Sequence, residues 1–173
     1  MDYFIILLLQ IGSAIASLVL LSLGLAVIFG MMRVINLAHG EFLMLGGYAA
    51  ITAYNQGVNL WVAMLVVAPV VVGLFGAIVE RLVIRHLYGR LIDTMLATWG
   101  LSLAMIGFVT VVFGNTVSGI SAPLGGLQIG AYRTGAYEIF LIGVAAVLLA
   151  AGWLVLRFTR LGLIARGTMQ NAA

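Results

Sequence analysis

Residues 3–32 read YFIILLLQIGSAIASLVLLSLGLAVIFGMM, a run of thirty residues that carries no charge and is almost entirely apolar. A helix needs about 20 apolar residues to cross the hydrocarbon core of a bilayer, and this run exceeds that length. A secretory signal would begin with basic residues and would have a shorter apolar core. We therefore interpret the run as a membrane span that the mature protein retains.

The composition of the whole chain indicates the same class of protein. Hydrophobic residues make up 64% of the 173 residues and charged residues only 8%, and the mean hydropathy is +1.24. Such a composition cannot cover a water-exposed surface, so it excludes an ordinary soluble domain. We predict an all-α integral membrane protein with about five spans, near Tyr3–Phe29, Val34–Tyr54, Leu60–Val79, Thr94–Phe113 and Ile139–Leu156.

The placement of the arginines predicts the orientation of these spans. The chain has no lysine, and its eight basic residues are all arginine. Cytoplasmic loops of membrane proteins are enriched in basic residues, and an odd number of spans then puts the N-terminus outside and the C-terminus inside. Only Arg133 falls outside in this arrangement, and the cytoplasmic arginines are Arg33, Arg81, Arg85, Arg90, Arg157, Arg160 and Arg166.

The stretch MMRVINLAHGEFLML, residues 31–45, brings polar side chains into the second predicted span. A span of about 20 residues that ends before the turn-like stretch YNQGVN must include Asn36, His39 and Glu41. We expect this helix to be interrupted near Gly40 and to restart there, with Glu41 in its first turn, where the macrodipole favours a carboxylate. Discontinuous helices of this kind occur at the transport sites of membrane transporters.

Three roles remain open for this polar cluster, whose members Asn36, His39, Gly40 and Glu41 are our candidates for translocation or gating. The first role is structural, with side chains that bond to neighbouring helices and hold the bundle together. The second is to gate or couple a movement, and the third is to contact the solute directly. The spacing of His39 and Glu41 does not match the helical zinc motif, and the chain has no cysteine. We therefore predict no catalytic residue, no metal site and no cofactor.

Small residues recur at helical spacing in the first and last predicted spans, where they allow helices to pack closely or line a solute path. They are Gly12 with Ala16, Ser13 with Ser17, and Gly143 with Ala146 and Ala150. The connection at residues 114–138 is rich in glycine and serine, which predicts an exposed loop with room for a short strand or helix.

Two charged segments are expected at the cytoplasmic side. Residues 80–94, ERLVIRHLYGRLIDT, form either a solvated connection or a contact for a cytoplasmic partner. Residues 157–173, RFTRLGLIARGTMQNAA, place apolar residues at helical spacing, which is typical of an amphipathic helix that lies on the membrane or docks into a partner. Without lysine the chain has no phosphate-binding loop of the GxxxxGK[ST] type, so ATP-driven transport would need another chain to hydrolyse ATP.

The run LGLAVIFGMMRVINLAHGEFLMLGGYAA, residues 23–50, closely resembles the first signature of the permease subunits of ABC importers for branched-chain amino acids and related solutes. The stretches ERLVIRHLYGRLIDTMLATWGLSL and TRLGLIARGTMQN are similar to the next two landmarks of that family, in the same order. The similarity extends over essentially the whole chain. LYGR, TMLATWGLSL and the QN of the tail look more like the urea-type permeases than the amino-acid ones.

This resemblance implies a multi-pass pore subunit of the bacterial inner membrane that translocates branched-chain amino acids or urea. Its implied partners are a second permease, a periplasmic solute-binding protein and cytoplasmic ATP-binding subunits, with no nucleic acid. Residues 157–173 would begin the segment that couples to an ATPase, with Arg160, Gly162, Arg166 and Gln170 as the candidate residues. On this basis we expect one transmembrane permease domain over residues 1–173.

Two features depart from the family pattern. Leu91 stands where the urea-type pattern carries a proline. Family members also continue for about a hundred residues beyond the coupling motif, so we expect the chain to be truncated at its C-terminus. Two other classes of function remain open, a passive channel for small polar solutes and a structural membrane subunit that transports nothing.

Overall fold

The computed structural model describes residues 2–32, 34–114, 119–120, 123–130, 132–159 and 162. Most of these residues belong to five helices, which confirms the predicted all-α membrane fold. The helices are α1 (Asp2–Met32), α2 (His39–Asn55), α3 (Leu60–Leu82), α4 (Leu91–Phe113) and α5 (Ala136–Phe158). A short antiparallel hairpin precedes α5 and consists of β1 (Gly126–Ile129) and β2 (Tyr132–Gly135).

Four of the five helices are long and apolar enough to cross a membrane. They are α1, α3, α4 and α5, and they confirm four predicted spans with boundaries shifted by about three residues. The second predicted span differs, because α2 has only 17 residues and is preceded by the non-helical residues 34–38. At 1.5 Å per residue α2 measures about 26 Å, less than the hydrocarbon thickness of about 30 Å.

The chain divides into two compact units, one formed by α1, the hairpin and α5 and the other by residues 33–121. In the first unit α1 and α5 pack through small residues, as predicted for α1. A Cβ atom added at Gly12 would lie 3.0 Å from Ile142 Cδ1 of α5, and Ala16 is buried. The stripe predicted in α5 does not take part, because Gly143, Ala146 and Ala150 are exposed. Ala145 is the buried alanine of that helix.

The hairpin belongs to the same unit and confirms the short strand allowed for in the predicted loop. Gly126 pairs with Gly135 and Ile129 with Tyr132. The positive φ of 60° at Gly130 suits the tight turn between the strands. The ring of Tyr132 lies 5.9 Å from that of Tyr3, so the hairpin rests against the start of α1.

In the second unit, α2 and α3 are joined by a short connection whose first N–H groups bond back to the last turn of α2. Gly57 takes a positive φ of 91°, and the N–H groups of Gly57 and Val58 donate to carbonyls of the last turn of α2. This Schellman arrangement ends the helix. Asn59 then begins α3, because its side chain accepts the N–H of Trp61 at 2.9 Å. The predicted turn is thus confirmed.

Helix α3 contains a π-helical segment, Ala63–Val67, between Leu60–Val62 and Ala68–Leu82. Pro69 has no N–H to donate to the preceding turn, and its ring would crowd a regular α-helix there. The wider π turn accommodates it, with the N–H of Ala68 donating to the carbonyl of Ala63.

Beyond α3, a single 3₁₀ turn, Ile84–Leu87, leads to Gly89 and into α4. Helix α4 buries one face, and that face is largely polar. Thr94, Thr98, Ser102, Met105 and Val109 lie on it at helical spacing. The unusual burial follows from the bilayer, because large apolar side chains can face lipid while hydroxyl groups need protein partners.

A break before helix α2 as the candidate functional site

The predicted interruption exists, but it precedes Gly40 instead of including it. Residues 34–36 are not helical, residues 37 and 38 form a turn, and α2 begins at His39. Gly40 is helical and takes no positive φ, and a Cβ atom added there would meet nothing within 4 Å. The interruption is therefore produced by the residues before the helix, and Gly40 lies in its first turn.

Asn36 gives the break its local shape. Its side-chain Oδ1 accepts the N–H of Ala38 at 3.0 Å, and its backbone carbonyl accepts the N–H of His39 at 3.3 Å. Asparagine often forms such a turn with the backbone two residues further on. The bond satisfies an N–H group that the start of a helix would otherwise leave unpaired. Asn36, a predicted site residue, thus directs the chain into α2.

Helix α4 holds the other side of the break through Thr98. The N–H of Leu37 donates to Thr98 Oγ1 at 3.1 Å, and the same hydroxyl lies 3.4 Å from the carbonyl of Ile35. Thr98 is 2% exposed, so water does not compete for these bonds. Non-helical backbone at membrane depth requires partners of this kind.

Glu41 lies in the first turn of α2, as predicted. The side chain is half-buried, and its Oε2 is buried without a hydrogen-bond partner among the described residues. A buried carboxylate oxygen without a donor is costly, and such groups concentrate at functional sites. This atom can accept a hydrogen bond from a mobile group, a partner chain or a passing solute.

His39 completes the cluster at the first position of α2, where it is half-buried. The structure therefore brings Asn36, His39 and Glu41 together within six residues of chain that span the start of a helix. The cluster supplies hydrogen-bond acceptors, and the break at residues 34–38 is a place where the backbone conformation can change.

The family model described as branched-chain amino acid transport system / permease component matches residues 7–173 of this chain. The chain belongs to this family. No curated protein and no solved structure gives a significant match. As a member of this family, the chain is a multi-pass membrane component of a transport system.

Most residues predicted for ATPase coupling in the permease, namely Arg160, Arg166 and Gln170, lie outside the described part of the chain. Gly162 is described, and its N–H donates to Thr159 Oγ1 at 3.2 Å. A side chain at Gly162 would collide with the backbone of Leu156. The glycine therefore permits a close approach of the chain to the end of α5.

The charged connection between α3 and α4 of the permease carries two exposed polar pairs. Arg90 and Asp93 lie 3.5 Å apart, and the Tyr88 hydroxyl donates to Glu80 Oε1 at 3.3 Å. Partial burial, the charge of Glu80 and this hydrogen bond together raise the pKa of Tyr88 above its usual 10.0. Thr94 holds the connection from inside, with its Oγ1 within 3.1 Å of the carbonyl of Leu87 and 2.7 Å of that of Arg90.

Sequence reasoning did not select Thr98 or Thr94 as functional residues. The signal available was the four-residue spacing of hydroxyl side chains, Thr94, Thr98 and Ser102, along one face of an otherwise apolar helix. In a membrane span such a face marks the side that packs against protein.

Proposed function

We propose that this permease is the membrane-spanning subunit of an ATP-driven importer of branched-chain amino acids or urea, and that the break before α2 is part of its gate. The observation that carries the proposal is the family match over residues 7–173. The structure adds a candidate for the element that moves. The start of α2 is held by hydrogen bonds to side chains instead of by a continuous series of helical backbone bonds.

The break suits a gate because a few hydrogen bonds determine its conformation. Movement within an α-helix would cost several backbone bonds, whereas residues 34–38 are fixed mainly by Asn36 and Thr98. Changes at a few positions of this kind allow one helix to move relative to another during alternating access. In this mechanism α2 reorients and Glu41 exchanges partners as it moves.

The importer needs further subunits, and we propose these from the sequence resemblance. A second permease completes the pathway, a periplasmic protein delivers the solute, and cytoplasmic ATP-binding subunits drive closure. The segment with Arg160, Gly162, Arg166 and Gln170 contacts an ATPase. If α2 crosses the inner membrane together with residues 34–38, five crossings place this segment in the cytoplasm.

The test is uptake of radiolabelled leucine and urea by cells that contain the partner subunits encoded beside this permease. The permease is supplied both as residues 1–173 and with any residues that follow in its reading frame. Accumulation that requires an active ATPase supports the importer and identifies the solute class. Downhill flux that persists with an inactive ATPase would instead indicate a passive channel.

In the same assay, Glu41→Gln is expected to reduce uptake by about tenfold or more at an unchanged amount of protein in the membrane. The substitution keeps the shape of the side chain but removes the charge that the mobile partner recognises, a loss on the order of 1–3 kcal/mol. The matched control is Glu138→Gln, which changes a first-turn glutamate of α5 that bonds to Thr134 at 3.0 Å.

We expect Glu138→Gln to leave uptake within about twofold of the parent chain, since a glutamine carbonyl oxygen still accepts the hydrogen bond from the Thr134 hydroxyl. Normal uptake by Glu41→Gln would remove Glu41 from the gate. Loss of the Glu41→Gln protein from the membrane would show that the residue serves packing.

A further inference from the structure

The most completely buried large side chains among the described residues are two threonines of α4, Thr94 at 1% exposure and Thr98 at 2%. In a chain that is 64% hydrophobic, only Ala38 and Ala63 among the described residues are buried more completely than these two hydroxyl side chains. Each hydroxyl reaches backbone outside its own helix. Thr94 contacts the connection at residues 87–90, and Thr98 contacts the break at residues 35–37.

Thr98 has more partners than one hydroxyl can satisfy at once. Its oxygen accepts the N–H of Leu37 at 3.1 Å. As a donor it lies 3.0 Å from the carbonyl of Met95 in its own helix and 3.4 Å from that of Ile35 in the break. A threonine hydroxyl carries a single proton, so it donates to one of these carbonyls at a time.

Two bonded arrangements follow from this competition. When the proton points to Ile35, the hydroxyl binds the break on both sides of residue 36. When it points to Met95, the carbonyl of Ile35 is released and only the Leu37 bond remains. The two differ by rotation about one side-chain bond, which is a small and rapid change.

We propose that the Thr98 hydroxyl is the latch of the break, a positioning residue that holds residues 35–37 against α4 by accepting the N–H of Leu37, and that frees the carbonyl of Ile35 when its proton turns to its own helix. The role of the latch in transport depends on the proposed function. Its existence does not, because the bonds can be measured in the permease without any solute.

Thr94 provides a matched control for the latch. It lies one turn earlier on the same helix and is about equally buried. Its hydroxyl lies 3.1 Å from the carbonyl of Leu87 in the preceding connection and 2.7 Å from that of Arg90, the N-cap of its own helix. Thr94→Val and Thr98→Val therefore remove the same atom from similar surroundings. Only the second substitution removes a bond to the break.

The experiment is hydrogen–deuterium exchange of the full chain in lipid nanodiscs, followed in peptides that cover residues 34–38. Thr98→Val is expected to speed exchange there about tenfold, because the Leu37 N–H loses its acceptor. Thr94→Val should leave these peptides unchanged, and Thr98→Ser should restore the parent rate, because it keeps the hydroxyl. Unchanged exchange in Thr98→Val, or equal acceleration by Thr94→Val, overturns the latch.

A second measurement covers the case in which Thr98→Val does not accumulate. The chain contains no cysteine, so Leu37→Cys introduces a unique site at a position that is 45% exposed. A spin label there should report an ordered break in the parent chain and a more mobile one in Thr98→Ala. Label mobility that Thr98→Ala leaves unchanged would overturn the latch, and uptake plays no part in this result.

Discussion

The two compact units of the permease are held together by different chemistry. In the unit of α1 and α5, the helices meet through small and apolar groups, as where Gly12 approaches Ile142. The α1 serines bond within their own helix, as Ser17 does to the carbonyl of Ser13 at 2.9 Å. In the unit of residues 33–121, buried threonines of α4 bond to backbone that lies outside the α-helices.

The difference follows from the continuity of the helices. A complete helix satisfies its backbone internally, so only van der Waals contact is left to join it to a neighbour in lipid. A broken helix exposes N–H and carbonyl groups, and a neighbouring side chain must satisfy them. We infer that close packing makes the first unit a rigid scaffold, whereas the second unit can rearrange by exchanging hydrogen bonds.

The largest effect is expected from a substitution that disrupts the packing of α1 against α5. Gly12→Leu should lower the free energy of unfolding by about 1–3 kcal/mol, because the new side chain must displace Ile142 at a site where even a Cβ atom would lie 3.0 Å away. The measurement is thermal unfolding in detergent, followed by circular dichroism.

Gly143→Leu is the control, since a Cβ atom at that glycine of α5 meets nothing within 4 Å. We expect its midpoint to stay close to that of the parent chain. Equal destabilisation by both leucines would mean that the Gly12 contact does not join α1 to α5.

A smaller effect on stability is expected in the unit of residues 33–121, where hydrogen bonds from α4 hold its neighbours. Thr94→Val should destabilise the permease by about 1 kcal/mol, because it keeps the shape of the side chain and removes a bond to the carbonyls of the α3–α4 connection. Thr110→Val changes an exposed threonine of the same helix and is expected to have no measurable effect. Similar midpoints for the two variants would show that the buried hydroxyl contributes nothing to stability.

The smallest effect concerns pH at the exposed surface of the same connection. The raised pKa of Tyr88 contributes stability that is present below the usual value of 10.0 and is lost as pH rises through the higher value in the folded protein. Tyr88→Phe should therefore make unfolding less sensitive to strongly alkaline pH. The pKa of Tyr88 is measured directly by titrating tyrosinate absorbance in the ultraviolet, in the parent chain and in Tyr88→Phe, and taking the difference. A Tyr88 that titrates at or below the usual value contradicts the role of Glu80.

The long helices could be predicted because bilayer thickness sets a length that apolar runs must meet, and α1, α3, α4 and α5 meet it. The existence of the break could also be predicted, since Asn36, His39 and Glu41 have no place on a lipid-facing helix. The restart of α2 near Gly40, with Glu41 in its first turn, was predicted as well, and α2 begins at His39. The glycine did not indicate that Asn36 shapes the irregular segment before the helix by bonding to the N–H of Ala38.

The partners of the break could not be predicted. A threonine in a membrane span can bond to the preceding turn of its own helix, as Thr98 also does to Met95. Sequence alone does not distinguish that use from a bond to another segment. The same limit applies to Gly12 and Gly143, because a small residue permits two helices to pack closely but does not specify which helix packs against it.

The π segment of α3 has a consequence for the register of that helix. One residue advances an α-helix by about 100°, so the extra residue taken up within Ala63–Val67 rotates everything that follows by roughly that angle. Contacts of α3 with α2 lie within this segment, where Ala63 is buried with Ala50 and Ala53, and also after it, where Val72 faces Gly46 and Phe75 lies 5.6 Å from Phe42. A relative that lacks one residue in the segment would present a different face of α3 to α2 beyond it, so a single-residue deletion there would change the contacts of Val72 and Phe75 without altering either residue.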